Sequence, residues 1–115
     1  MDPENQISFS DFLKVDMRVG RIVAAEEFPR ARKPAYKLTI DFGDLGQKRS
    51  SAQITDLYKA EDLIGRYIIA VVNFPRKQIA DFMSEVLVLG ASEEGSSEIV
   101  LLKPDRELKP GSKIS

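Results

Sequence analysis

The stretch Lys33–Thr55, KPAYKLTIDFGDLGQKRSSAQIT, decides how this chain is read. Within it Tyr36, Leu38, Ile40 and Phe42 alternate with Lys37, Thr39 and Asp41, the period of two that belongs to a strand with one face buried. Gly43-Asp44-Leu45-Gly46 follows as a turn, and Gln47–Gln53 runs back as the partner strand of a hairpin.

Working outward, Met17–Glu26 reads as a strand with Gly20 inside it. A glycine there predicts a bulge or sharp coil, which a long first strand needs if it is to serve both halves of a small barrel. Tyr67–Val72 is apolar on both faces, as a central strand is, and Val86–Leu89 and Ile99–Leu102 read as further strands around a loop tip at Ala91–Ser97. Leu108–Gly111 is a turn before a last short strand near Lys113-Ile114. Asp56–Ile64 predicts a short helical connection closed by Gly65, with Leu57 and Leu63 placed to plug one end of the barrel. Near the N-terminus Ser8-Phe9-Ser10-Asp11 has the spacing of a capping box, and Phe9, Phe12 and Leu13 give the helix that follows an apolar side. Asn73–Met83, NFPRKQIADFM, mixes Pro, Arg, Lys and Gln with large apolar groups and reads as a loop. The pattern is that of an all-β chain: a five-stranded Greek-key barrel of the OB type, with a short N-terminal helix, a short helix after the third strand and a C-terminal extension, as a single domain over residues 1–115.

Composition narrows the chemistry. Hydrophobic content of 43% and charged content of 30% are globular values. The chain has no cysteine, histidine or tryptophan, which removes disulfides, thiolate metal sites, thiol catalysis and the side chain best suited to proton transfer at neutral pH. The carboxylates lack the spacing of a calcium loop, so no metal and no cofactor are expected. Ser50, Ser51 and Ser84 lie among lysines, but no orienting group accompanies them, and turn and ladder hydrogen bonding accounts for them. An enzyme is not expected. The N-terminal MDPENQISFSDF shows no basic-then-apolar signal, and the longest apolar run, Ile68–Val72, is far too short to span a bilayer; a cytoplasmic protein without membrane insertion is the expectation. The net charge of −1 hides an uneven distribution: six cations against two anions between Arg30 and Arg49, and four glutamates with no cation from Glu85 to Glu98.

Phe12–Val23 (FLKVDMRVGRIV), Ala31–Leu38, Ile40–Gly43 (IDFG), Asn73–Ile79 (NFPRKQI) and Ser84–Gly90 (SEVLVLG) together resemble the tRNA-binding OB domain that is appended to some methionyl-tRNA synthetases. The resemblance covers residues 7–114, with the motifs in family order. Within the family, KPAYKLTIDFG, SSAQIT and NFPRKQIADFMSEVLVLG look most like the export-related chaperone subgroup. Where tRNA binders usually read Ser-Gly-Ile, Asn-Leu-Lys-Pro and Ser-Glu-Gly-Met, this chain has Ser51-Ala52-Gln53-Ile54, Asn73-Phe74-Pro75-Arg76 and Ser84-Glu85-Val86-Leu87. The last change removes a flexible glycine and a pliable thioether from the loop that RNA-binding relatives use.

The resemblance implies a homodimer joined outside the barrel, and Phe9, Phe12 and Leu13 supply an apolar stripe suited to that contact. It implies partners that are unfolded or precursor polypeptides, cooperation with the SecA translocation motor, and, in the alternative, tRNA. For polypeptide the candidate residues are Phe28, Pro34, Phe74, Pro75, Ile79, Phe82 and Met83, because aromatic and thioether groups at a surface accept varied apolar side chains. For RNA they are Lys33, Lys37, Arg49, Arg76 and Lys77 for phosphates and Gln53, Asn73 and Ser84 for bases or ribose. Capping of the barrel end is the competing role for Phe74, Ile79 and Phe82. Tyr36 shares its face with Leu38 and Ile40 and belongs to the core.

Overall fold

A computed structural model describes residues 2–115. Helix α1 (Phe9–Leu13) opens with the expected capping box: the Ser8 hydroxyl accepts from the Asp11 amide and the Asp11 carboxylate accepts from the Ser8 amide. Strands β1 (Met17–Glu27), β2 (Tyr36–Asp41) and β3 (Gln47–Ala52) follow, then helix α2 (Ala60–Leu63) and strand β4 (Tyr67–Val71). A hairpin of β5 (Lys77–Ile79) and β6 (Phe82–Ser84) comes next, and three short strands, β7 (Leu87–Val88), β8 (Gly90–Ala91) and β9 (Val100–Leu101), complete the order.

The main sheet is antiparallel, with five strands in the order β3-β2-β1-β4-β7. It curls into a nearly closed barrel of the OB type, with β3 and β7 at its two edges. Alternation along β2 works as the sequence predicts: Tyr36, Leu38 and Ile40 enter the core with Ile22, Phe42, Leu63 and Ile68, while Lys37, Thr39 and Asp41 face outward. The Tyr36 hydroxyl donates to the Tyr58 carbonyl at 2.7 Å, and the Tyr58 hydroxyl accepts from the Leu101 amide at 3.0 Å, tying β2 to β9 through the connection. The C-terminal extension pairs with the start of β1 through a bridge between Arg18 and Lys113, where a last strand was expected.

Three expectations about the fold need correction. The irregularity in β1 falls between Ile22 and Ala24 rather than at Gly20. Gly20 instead permits close packing, since a Cβ there would lie 2.6 Å from Ile40 Cγ2 and 2.7 Å from Phe42 Cε1. Leu63 is fully buried and plugs the barrel, but Leu57 is exposed, because α2 begins only at Ala60 and leaves Leu57 on a turn. The segment 73–83 is not simply a loop: it contains most of the β5–β6 hairpin, turned through Ala80 at φ 51°, a left-handed conformation rarely taken by alanine.

Candidate functional site: two grooves beside one hairpin

The β5–β6 hairpin is the element that builds the site, and a small core of its own holds it in place. Phe28, Ala35 and Phe82 are buried together, with Ala31 and Ile79 packed at the margin. The Phe28 and Phe82 rings lie 5.4 Å apart, tilted by 59°. Two cations cover them: the Arg49 guanidinium sits 4.3 Å from the Phe82 ring centre and Lys37 Nζ sits 5.5 Å from that of Phe28. Polar bonds fix the hairpin to the β3 edge, with the Ser84 hydroxyl accepting from the Ser51 amide at 3.1 Å and the Glu85 amide donating to the Arg49 carbonyl at 2.8 Å. An ion pair between Arg30 and Asp81 at 3.3 Å joins the hairpin turn to the β1–β2 loop, exposed on both sides and therefore weak.

On one side of β5 lies an apolar groove of about 600 Å³. Its walls are the end of β3 (Ser51–Ile54), the approach to β5 (Phe74, Pro75) with Ile79, and Leu87, Leu89 and Leu101 from the barrel's closing strands. Phe74 is 53% exposed and Leu87 49%, so large apolar groups stand in water at its rim. The only charged residues lining it are Lys77 and Glu85, which leaves it without net charge. On the other side of β5 lies a trough of about 630 Å³ lined by Arg30, Arg32, Lys33 and Lys77, with no carboxylate among its lining residues. Lys77, Ile79, Ser51 and Gln53 line both.

The sequence candidates therefore divide. Phe74, Pro75 and Ile79 line the apolar groove, and Met83 is exposed on the hairpin without lining it. Phe28, at 4% exposure, and Phe82, at 2%, are corrected from contact surface to support: their rings lie beneath the hairpin. Pro34 is exposed beside the basic trough but is not among its lining residues. Of the cationic and polar candidates, Lys33, Lys77 and Gln53 line the trough, while Lys37 and Arg49 lie over the aromatic pair on the outer face of β2 and β3. Arg76 is exposed at the start of the hairpin.

Asn73 and Ser84 both make hydrogen bonds within the chain. The Asn73 carbonyl oxygen accepts from the Asp16 amide at 3.0 Å and its Nδ2 donates to the Lys14 carbonyl at 2.7 Å, clasping the N-terminal segment to the end of β4. The Ser84 hydroxyl accepts from Ser51, as above. Sequence reasoning missed Leu87, Leu89 and Leu101 as groove residues, and Arg30 and Arg32 as trough residues, although Arg30 and Arg32 stood in the run of cations already noted. Among the described residues no group of three or more Asp or Glu side chains converges to hold a metal ion, and no helix is long and apolar enough to cross a membrane.

Residues 17–113 match the family described as "Putative tRNA binding domain". The chain belongs to that family. Methionine–tRNA ligase 1 of Sorangium cellulosum (strain So ce56) is 41% identical over 109 residues, 95% of this chain but 15% of that enzyme. The corresponding ligase of Methanocaldococcus jannaschii is 37% identical over 95% of this chain and 16% of its own length. The chain thus spans only about 15% of the length of these curated relatives. The crystal structure of chaperone CsaA from Bacillus anthracis str. Ames superposes with a TM-score of 0.90 at 57% identity, covering 96% of this chain and 99% of that one. CsaA from Picrophilus torridus gives 0.88 at 56% identity, over 96% and 100% of the two chains. A MetRS related protein from Pyrococcus horikoshii gives 0.86 at 27% identity, over 96% of this chain and 99% of its own. The expected barrel and the likeness to the chaperone subgroup are both borne out: this is a CsaA-like member of the family.

Proposed function

We propose that the chain is an ATP-independent holdase that binds unfolded or pre-secretory polypeptides in the cytoplasm as a homodimer. The observation that carries this reading is the apolar groove, where Phe74 and Leu87 stand half exposed at the rim of a largely apolar lining that carries no net charge. Such a surface favours apolar segments that only an unfolded chain presents. Binding the unfolded state withdraws it from aggregation by mass action, with no nucleotide cycle. The sequence contains no GxxxxGK[ST] loop to drive one. The likeness to two CsaA chaperones supports the same reading.

The dimer rests on α1 and its flanks. Phe9 is 73% exposed, and Ile7, Leu13 and Val15 are exposed beside it, with Phe12 stacked on Phe9 at 6.1 Å between ring centres. An apolar stripe of this kind is the sort that association covers. Pairing two barrels would offer two grooves to one client and raise the effective concentration of the second site.

A second reading, tRNA binding in trans, is favoured by the trough of Arg30, Arg32, Lys33 and Lys77 and by the family itself. The two readings differ in salt response. Titration of a labelled, unfolded secretory precursor at low and high ionic strength decides: saturable binding that persists at high salt supports the holdase. Absence of precursor binding, together with tRNA binding that collapses as salt rises, would replace it with the RNA module.

A further inference from the structure

The apolar groove lies where the barrel fails to close. Strands β3 and β7 are the two edges of the main sheet, and each is hydrogen-bonded within the sheet on one side only. They meet where the Glu85 and Val86 amides both reach the Arg49 carbonyl, at 2.8 and 3.4 Å, and Ser84 takes the Ser51 amide. Past that junction the edges part. Among the described residues, neither the amide nor the carbonyl of Gln53 has a hydrogen-bond partner, and Gln53 is exposed in the groove wall. On the facing edge, Leu87 pairs with Val71 and the Leu89 amide bonds to the Ile69 carbonyl, while the Val86 amide points the other way; alternation therefore turns the main chain of Val88 toward the gap.

From this geometry we infer that the groove takes its ligand as an added strand: an extended polypeptide pairs its main chain with the free amide and carbonyl of Gln53, just past the end of β3, and drops alternate side chains between Phe74, Ile79 and Leu87. The inference rests on the polypeptide-binding reading above and specifies how that site recognises its client. Charge selects the class of occupant. The groove's single cation and single anion offer nothing to a polyanion, whereas unpaired amide and carbonyl groups beside an apolar floor match a peptide main chain. Recognition through the main chain also explains how one rigid site accepts many sequences, because every non-proline residue carries the same donor and acceptor.

The test uses a short labelled peptide alternating aliphatic with Ser or Gln residues, and two versions N-methylated at every second residue in opposite registers. In an added strand only alternate amides face the protein, so one register should weaken binding by at least about tenfold, while the other, its methyls pointing away, stays within about threefold of the parent. A slip by one residue does not rescue the blocked register, since it turns the aliphatic side chains to water. Equal affinity for both registers, whether equal to the parent or equally weakened, overturns the added strand while leaving polypeptide binding intact. Failure of the unmodified peptide to bind overturns the polypeptide reading, and the inference with it. A Gln53→Pro variant, which deletes the edge amide, should reproduce the loss with the unmodified peptide.

Discussion

Gly20→Ala is the most direct probe of how tightly the barrel is closed. The added Cβ would lie 2.6 Å from Ile40 Cγ2, 2.7 Å from Phe42 Cε1 and 3.0 Å from Phe42 Cδ1. Carbon atoms rest about 3.5–4.0 Å apart, so each contact is short by roughly half an ångström or more. Neither neighbour has room to yield, since Ile40 and Phe42 are both fully buried. Two effects oppose. Removing a glycine restricts the unfolded chain and favours folding by about 0.4–1 kcal/mol. Overpacking a filled core costs about 1–3 kcal/mol, and with two rigid neighbours the upper part of that range applies. The net loss is then about 2 kcal/mol. For 115 residues the unfolding entropy is about 0.24 kcal/mol/K, so the melting temperature should fall by about 8 °C. Urea unfolding followed by circular dichroism should show the midpoint falling with the slope unchanged. Phe42→Leu, which trims the clashing ring, should be less harmful in the Gly20→Ala background than alone. An unchanged or higher melting temperature, or strict additivity of the two substitutions, would refute the packing argument.

Four other predictions follow from particular contacts. Asn73→Ala removes the clasp to Lys14 and Asp16 and should cost about 1–2 kcal/mol in urea unfolding, while leaving salt-dependent tRNA binding unaltered at equal folded fraction. Ala80→Gly relieves a left-handed residue at the hairpin turn and should stabilise the chain by roughly 0.5–1 kcal/mol, read as slower amide exchange at Lys77–Ser84. The Ser8 amide, then Lys14 and the Ser8 hydroxyl, hold the Asp11 carboxyl below its usual value of 3.8; the capping box is therefore complete above that value and is lost as pH falls through the lowered one, so the α1 amides should lose protection only in acid. Lys33→Glu, in the basic trough, should weaken tRNA binding and flatten its salt dependence by more than Lys103→Glu, which lies in a separate cleft, and neither should alter precursor binding at high salt.

Local signals carried the parts of the fold that were legible in the sequence. The capping box at Ser8–Asp11 and the alternation at Tyr36–Phe42 each depend on neighbours a few residues away, and both are seen in the structure. The β5–β6 hairpin was not legible, because its turn is Ala80-Asp81 without the glycine or asparagine that usually marks a left-handed residue. The roles of Phe28 and Phe82 depend on packing across about fifty residues of sequence, and nothing near either one shows which side of the surface it occupies. Asn73 looked like a polar reader because its partners, Lys14 and Asp16, lie 59 and 57 residues away. The groove was half visible: Phe74, Pro75 and Ile79 stand in one segment, whereas Leu87, Leu89 and Leu101 reach it only once the barrel closes.

The central claim is that an exposed apolar groove holds unfolded polypeptide. The measurement that tests it most directly is the affinity of a labelled, unfolded precursor at high salt for the native chain and for Phe74→Ser with Leu87→Ser, two substitutions at exposed positions that leave the buried core untouched. The account predicts that the double variant folds, loses precursor binding by at least about tenfold and keeps its salt-sensitive tRNA binding. Undiminished precursor binding by the folded double variant would contradict it.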